Sequence, residues 1–258
     1  VNTLEQTAER AAAIVCEAGE IALSYFRQDG LETNTKDDSS PVTQADMETE
    51  EFIRAKLAAT FPEHGILGEE FGISGDLDDQ CWIVDPIDGT RFFVTGYPTF
   101  GTLLALLEKG TPRLGIVRMP ALNETFVGLD QVAATHNGKQ IKASGVTKLD
   151  QAKLFINEAE RTSSHYPALF ERLCNSGHTR RMSYDCYPHA MVAAGHIDAV
   201  TDMGLEPYDY LPLVPIVQAA GGVITDWKGQ PLNIYSDGRV LSAATPELHE
   251  ELLAMLDV

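Results

Sequence analysis

Residues 81–90 read Cys81-Trp82-Ile83-Val84-Asp85-Pro86-Ile87-Asp88-Gly89-Thr90. The apolar run Trp82-Ile83-Val84 has the length and composition of a short buried strand, and it ends at Asp85. A second carboxylate, Asp88, follows three residues on. Pro86 fixes its own φ and biases Asp85 towards extended backbone. Gly89 and Thr90 then free backbone N–H groups at a tight turn. Two acids fixed at a strand end, beside exposed N–H donors, can hold hard cations against a phosphate. The same residues also suit a plain strand-ending turn, because Asp-Pro and Asp-Gly pairs are common turn formers.

Working outward, apolar residues at Leu4, Ala8, Ala11, Ile14, Val15, Ala18, Ile21, Ala22 and Tyr25 predict a helix over 3–27. A polar loop follows at 33–41, and a second helix is expected over 43–59. Residues 64–67 read as a strand ending in Gly68-Glu69-Glu70. An acidic segment at 72–79, expected to be mobile, leads back to the opening strand. Downstream, 101–107, 113–119, 125–129 and 133–136 read as an antiparallel meander, with Lys109-Gly110 and Asn137-Gly138 as hairpin signals. Beyond about 145 the rhythm changes. Strands are expected at 153–157, 180–182, 199–203, 223–226 and 240–243, and helices at 163–174, 187–194, 208–220 and 246–256. The fold class expected is α+β: layers of alternating helices and sheets, with an antiparallel α+β half over 1–145 and an α/β half over 146–258.

The chain has 258 residues, 44% of them hydrophobic and 22% charged, enough for a real core. Its formal net charge of −19 repels phosphate backbones and argues against nucleic acid as a partner. The same charge favours metal ions or an amine-bearing substrate, although solubility alone accounts for most of the acids. Cys16, Cys81, Cys174 and Cys186 show no CxxC spacing and read as reduced thiols of a cytoplasmic protein. No stretch approaches membrane-spanning length.

Four acids bear on the opening motif. Glu69 ends one strand, Asp85 another, Asp88 sits in the turn, and Asp209 begins the helix after Glu206-Pro207-Tyr208. Mg²⁺ takes oxygen ligands and keeps several waters, so a few carboxylates suffice for each ion. Two ions roughly 4 Å apart clamp the attacking and leaving oxygens of a phosphoryl transfer. Asp85 is placed to bridge them, with the Ile87 carbonyl as an extra ligand. Plainer readings stand beside these: Glu69 as a solvated loop acid, Asp209 as a complement to a helix dipole, and Thr43-x-x-Asp46 as a capping box. Asp46 can also do both, capping a helix and ordering the loop beside the metals.

Gly68-Glu69-Glu70, the block from Trp82 to Thr90, and Tyr208-Asp209 with Ala219-Ala220-Gly221-Gly222 resemble the inositol monophosphatase superfamily of Mg²⁺-dependent sugar and polyol phosphatases. Tyr208 departs from the Trp usual before the metal-binding Asp, without touching the ligand. The resemblance implies that Glu69, Asp85 and the Ile87 carbonyl hold one Mg²⁺ and that Asp85, Asp88 and Asp209 hold a second, with two or three ions per site. It implies that Thr90, paired with Glu69 and supported by Asp46, orients an attacking water, and that the N–H groups of Gly89 and Thr90 cradle the phosphate. Lys36 matches an activation loop, or is a solvated lysine. Relatives are often homodimers, and the partner implied is a small phosphorylated substrate.

Substrate choice should lie beside the ligands. Arg91 follows Thr90, Asp185 stands where polyol-specific relatives have a small residue, and Asp202 stands where relatives place an acid on substrate hydroxyls. Asp185 can equally cap the following helix. The runs 88–96, 184–187, 207–210 and 222–229 are similar to the histidinol-phosphate phosphatase branch of this fold, which serves histidine biosynthesis. Its product carries an amine and an imidazole, so Asp185, Asp202 and Glu206 are expected to grip a cationic end. The alternatives are a broad inositol or sugar monophosphatase and a nucleotide-type phosphatase, for which the loops are short. From another class comes a non-catalytic metal-binding relative, opposed by the intact Glu69, Asp85, Asp88, Thr90 and Asp209.

Overall fold

The computed structural model describes residues 3–28, 33–35 and 41–257. Lys36, expected at an activation loop, lies outside the described residues. Helix α1 (Leu4–Tyr25) starts at a reciprocal cap in which Thr3 and Gln6 exchange side-chain and backbone hydrogen bonds. Strands β1 (Thr33–Thr35) and β2 (Pro41–Thr43) pair antiparallel and lead into α2 (Gln44–Thr60). Next come β3 (Gly65–Gly68), β4 (Gly72–Ser74), β5 (Gln80–Asp88) and the short α3 (Thr90–Val94). The meander follows as β6 (Gly101–Glu108), β7 (Thr111–Met119), β8 (Glu124–Leu129), β9 (Ala133–His136) and β10 (Lys139–Gln140). The remainder is β11 (Lys153–Asn157), α4 (Ala159–His165), α5 (Pro167–Cys174), β12 (Thr179–Ser183), α6 (Tyr187–Ala193) and β13 (Ala199–Asp202). It closes with α7 (Pro207–Tyr210), α8 (Leu213–Ala219), β14 (Val223–Asp226), β15 (Val240–Ala243) and α9 (Pro246–Leu256).

The first sheet has eight strands in the order β10-β9-β8-β7-β6-β5-β3-β4, and the second has five in the order β12-β11-β13-β15-β14. Side-chain alternation sets the layers. Trp82 and Val84 of β5, with Leu104, Leu106, Leu114 and Ile116, pack against α1 and α2. The other face, Cys81, Ile83, Leu103, Ala105 and Val117, packs against Ala190 and Ala193 of α6 and Leu213, Ile216 and Val217 of α8. Those helices also meet Ile224 and Val240 of the second sheet. That sheet's far face, with Leu154, Ile156 and Leu241, is covered by Leu169 and Leu173 of α5 and Leu248 and Leu252 of α9. The result is five layers, helix–sheet–helix–sheet–helix, the α+β layering expected.

Several local expectations change. The opening strand does not stop at Asp85 but runs to Asp88. The segment at 72–79 begins with a strand, β4, paired with β3. The first sheet is not wholly antiparallel, since β3 and β5 run parallel. The helix expected over 163–174 is two, α4 and α5, because Pro167 pushes Tyr166 out of helical backbone, to φ −134° and ψ 61°. The helix expected over 208–220 divides into α7 and α8 at Leu211-Pro212, where both residues keep helical backbone but Pro212 has no N–H to donate.

Candidate active site

Two irregularities of β5 bring the acids together. Parallel pairing sets Gly68, the end of β3, beside Val84, so Glu69 comes level with Asp85 and its N–H donates to the Val84 carbonyl at 3.1 Å. Residues Asp85 and Asp88, three apart, would point to opposite faces of a regular strand. The β5–β6 register shifts between them by one extra residue, a β-bulge that turns Asp88 to the side of Asp85. Pro86 has no N–H to lose there, and Thr102 Oγ1 donates to its carbonyl at 2.9 Å. From the second half, Asp209 enters at the third position of α7, where its Oδ2 accepts from the Glu206 N–H at 2.7 Å. Ligand oxygens of Asp85, Asp88 and Asp209 lie within 4.8 Å of one another.

Three carboxylates so close repel one another. Burial, then the charges of Glu69, Asp88 and Asp209, push the Asp85 carboxyl well above the usual range. Burial pushes Asp88 up to about 6, against the Cys186 N–H that donates to its Oδ2 at 2.7 Å. Asp209 is raised by burial and by Asp88. Oδ1 of Asp85 is buried with no hydrogen-bond partner. An orphaned carboxylate oxygen among mutually repelling acids fits a divalent cation, which would replace both the missing bond and the missing charge.

Asp46 sits at the third position of α2. Its Oδ2 accepts from the Thr43 N–H (2.8 Å) and hydroxyl (2.6 Å), and its Oδ1 faces the Thr90 hydroxyl at 3.2 Å. The Thr90 hydroxyl also lies 3.0 Å from the Ile87 carbonyl. That hydroxyl is thus shared between Asp46 and Ile87, and the Glu69 carboxylate sits beside Asp85. Gly89 has φ +83°, and a Cβ there would stand 2.8 Å from Asp185 Oδ2, so only glycine fits this turn. Glu50, buried on α2, accepts from the N–H groups of Glu70 (2.7 Å) and Phe71 (3.2 Å) and so holds the loop that carries Glu69. Gly68 leaves room for that carboxylate, whose Oε1 would lie 2.0 Å from a Cβ.

The acids floor a cleft of about 370 Å³ whose walls include Gly89, Thr90, Arg91, Asp185 and Glu206. Asp202 is a correction. It is 1% exposed, lies outside the cleft lining, and gives its oxygens to Asn157 Nδ2, His189 Nε2 and the Met203 N–H. Two wall residues escaped the sequence reading, Glu158 and Arg161, their charges 3.6 Å apart. Burial, then the charge of Asp202, raises the Glu158 carboxyl. Their signal was positional: they follow a parallel strand, β11, at its carboxyl end, where α/β layers place their ligands.

Buried carboxylates that could hold a hard cation, a left-handed glycine turn and a polar cleft fit a metal-dependent hydrolase of phosphate esters. A sequence model described as the inositol monophosphatase family matches residues 3–257. The chain is 36% identical to the chloroplastic bifunctional phosphatase IMPL2 of Arabidopsis thaliana, over 98% of this chain and 76% of that protein. It is 34% identical to a histidinol-phosphatase of Chlorobaculum parvum, over 93% and 92%. The structure of an inositol monophosphatase from Zymomonas mobilis superposes over the whole of both chains with a TM-score of 0.87 and 36% identity. The chain belongs to the inositol monophosphatase family and is a phosphoric monoester hydrolase. Members of that family depend on Mg²⁺ and act on small phosphorylated substrates. No helix among the described residues is long and apolar enough to cross a membrane.

Proposed function

We propose that this phosphatase hydrolyses histidinol phosphate to L-histidinol and phosphate. The observation that carries the reading is the acidity of the cleft beyond the metal set, where Asp185, Glu158 and Glu206 line the wall. Net negative charge there suits the ammonium and imidazolium of that substrate and gives nothing to a neutral ring. The likeness to a histidinol-phosphatase supports it.

Glu69, Asp85, the Ile87 carbonyl, Asp88 and Asp209 are the residues that would hold Mg²⁺, two or three ions per site. Bound there, Mg²⁺ neutralises the phosphate dianion and acidifies water. The chain's own groups do the rest. Asp46 fixes the Thr90 hydroxyl, which orients the attacking water. The N–H groups of Gly89 and Thr90 take the phosphate oxygens, and Arg91 adds a cation at the rim. Glu158 takes the part expected of Asp202, gripping the cationic end with Asp185 and Glu206. The enzyme works as a homodimer in the cytoplasm.

Inositol phosphate is the second reading, favoured by the Zymomonas likeness and by Arg91 and Arg161, whose charges offset part of the wall's acidity. The deciding measurement is kcat/KM for histidinol phosphate against inositol 1-phosphate, with fructose 1,6-bisphosphate and 3′-phosphoadenosine 5′-phosphate as further members of the panel. A clear preference for histidinol phosphate is expected. Equal or reversed preference removes it. Glu158→Gln is expected to raise KM for histidinol phosphate about tenfold, the scale of one charge-assisted hydrogen bond, and to leave inositol 1-phosphate unchanged.

A further inference from the structure

Beneath the cleft lies a chain of buried polar groups that the chemistry above leaves unused. Asp185, at φ +62°, and Cys186 form the turn that opens α6. The Cys186 N–H donates to Asp88 Oδ2 at 2.7 Å. One residue back, the Asp185 carbonyl accepts from Asn157 Nδ2 at 3.1 Å, and the same amide group donates to Asp202 Oδ2 at 2.7 Å. His189, one turn along α6 from Cys186, sets Nε2 3.1 Å from that Oδ2 and Nδ1 2.8 Å from Ser242 Oγ. None of Asn157, His189, Asp202 and Ser242 is more than 1% exposed. Asn157, Asp202 and Ser242 come from the neighbouring strands β11, β13 and β15.

The bonding pattern fixes each partner's role. Asp202 Oδ2 can only accept, so His189 Nε2 carries a proton, and the Ser242 hydroxyl completes Nδ1. A buried carboxylate so close to Asp88 and Asp185 adds like charge to a site already crowded with it, at a cost that apolar residues of the same volume avoid. What the network provides in return is a fixed position for α6. That helix has seven residues. Its first turn touches a carboxylate of the first sheet, and its third residue is bonded into the second sheet. A helix held at both points cannot shift along its axis without breaking one of them. The Cys186 N–H holds Oδ2 of Asp88 and with it the orientation in which that carboxylate meets Asp85 and Asp209.

We infer that His189 and Asp202 are positioning residues of the metal site: acting through Asn157 and α6, they fix the Cys186 N–H on Asp88 and thereby set divalent-cation affinity. The inference rests on Asp88 being a metal ligand, and the experiment separates the two.

Mn²⁺ is titrated into metal-stripped protein and its binding followed by the loss of the free-ion electron paramagnetic resonance signal, with no substrate present. His189→Phe fills the space without a donor and is expected to weaken binding by about tenfold or more, the usual effect of removing a partner that orients a ligand. His189→Gln, whose amide can donate to Asp202, is expected to recover most of the loss. Leu252→Ala, in the core between the second sheet and α9, is expected to lower the melting temperature and leave Mn²⁺ affinity alone. Parental affinity in folded His189→Phe overturns the inference, as does an equal loss in Leu252→Ala. Should His189→Phe not fold, Ser242→Ala removes only the Nδ1 partner; a loss of a few fold supports the inference and none overturns it. Asp88→Asn identifies the other failure: if it binds Mn²⁺ like the parent, the ligand assignment falls first.

Discussion

Asp46 divides its two oxygens between two tasks, one closing the start of α2 and the other facing Thr90. Asp46→Ala therefore has two separable effects. Loss of the cap costs about 1 kcal/mol of stability, read by thermal unfolding. Release of Thr90 lowers kcat by about 10²-fold at nearly constant KM, the scale of a lost proton-handling group; an unchanged kcat would mean that only the cap matters. Asp88→Asn removes charge that no neighbouring residue replaces, and phosphate release should fall by roughly 10³-fold, since a metal's charge stabilisation is worth several kcal/mol. The residues that could be read directly from sequence were those with a local grammar: a strand end, a turn, a capping box. Asp202 and Glu158 had none. Both are acids just past or at the end of a strand, and one goes down into a hydrogen-bond network while the other comes up into the cleft. That choice depends on how far β13 and β11 extend and on the left-handed backbone of Glu158, φ +45°, which no neighbour in the sequence announces.

The element that matters most is the last third of β5. Its bulge converts an odd spacing of two acids into a shared face, and the Thr102 hydroxyl is the donor that satisfies the Pro86 carbonyl. Thr102→Val leaves that buried carbonyl unpaired and should destabilise by about 1–3 kcal/mol, with Mg²⁺ affinity reduced because the bulge aims Asp88; a melting curve and a metal titration report the two losses separately. Gly89→Ala should be worse for activity than for folding. It strains a left-handed turn by about 1–2 kcal/mol and drives a methyl against Asp185. Strand and helix positions were legible because apolar spacing and Gly, Pro and Asn turns agree over most of the chain. The misreadings, four helices taken for two, each fall at a proline inside an apolar run. There, helical periodicity persists across a break made by the backbone of Tyr166 in one case and by the missing N–H of Pro212 in the other.

At the scale of the molecule, the site lies where the first sheet's strand ends meet α6 and α7, so its charge is a burden on the whole fold. Asp88 titrates near 6 in the folded protein, above the ordinary 3.8 of an unfolded chain. The folded state therefore binds the extra proton between those values, and its stability falls as pH rises through about 6. Metal-stripped protein should lose melting temperature between about pH 4 and 6, Asp88→Asn should flatten that slope, and Mg²⁺ should restore stability at about pH 7.5 far more than at about pH 4. Melting curves in EDTA and in excess Mg²⁺ check all three, and a slope unaffected by Asp88→Asn would place the burden elsewhere. The alternation of layers was legible from the change of rhythm near residue 145. The parallel pair β3–β5 was not, since no helical crossover separates those strands to announce it.

An eight-stranded sheet also presents two open margins to other chains. Here the outermost strands are β4, of three residues, and β10, of two, too short to template an incoming strand. On the second sheet, the outer strand β12 carries the exposed cations Arg180 and Arg181, which repel the same edge of another copy. Edge-to-edge aggregation at high concentration is thereby opposed at three margins, by shortness at β4 and β10 and by like charge at β12.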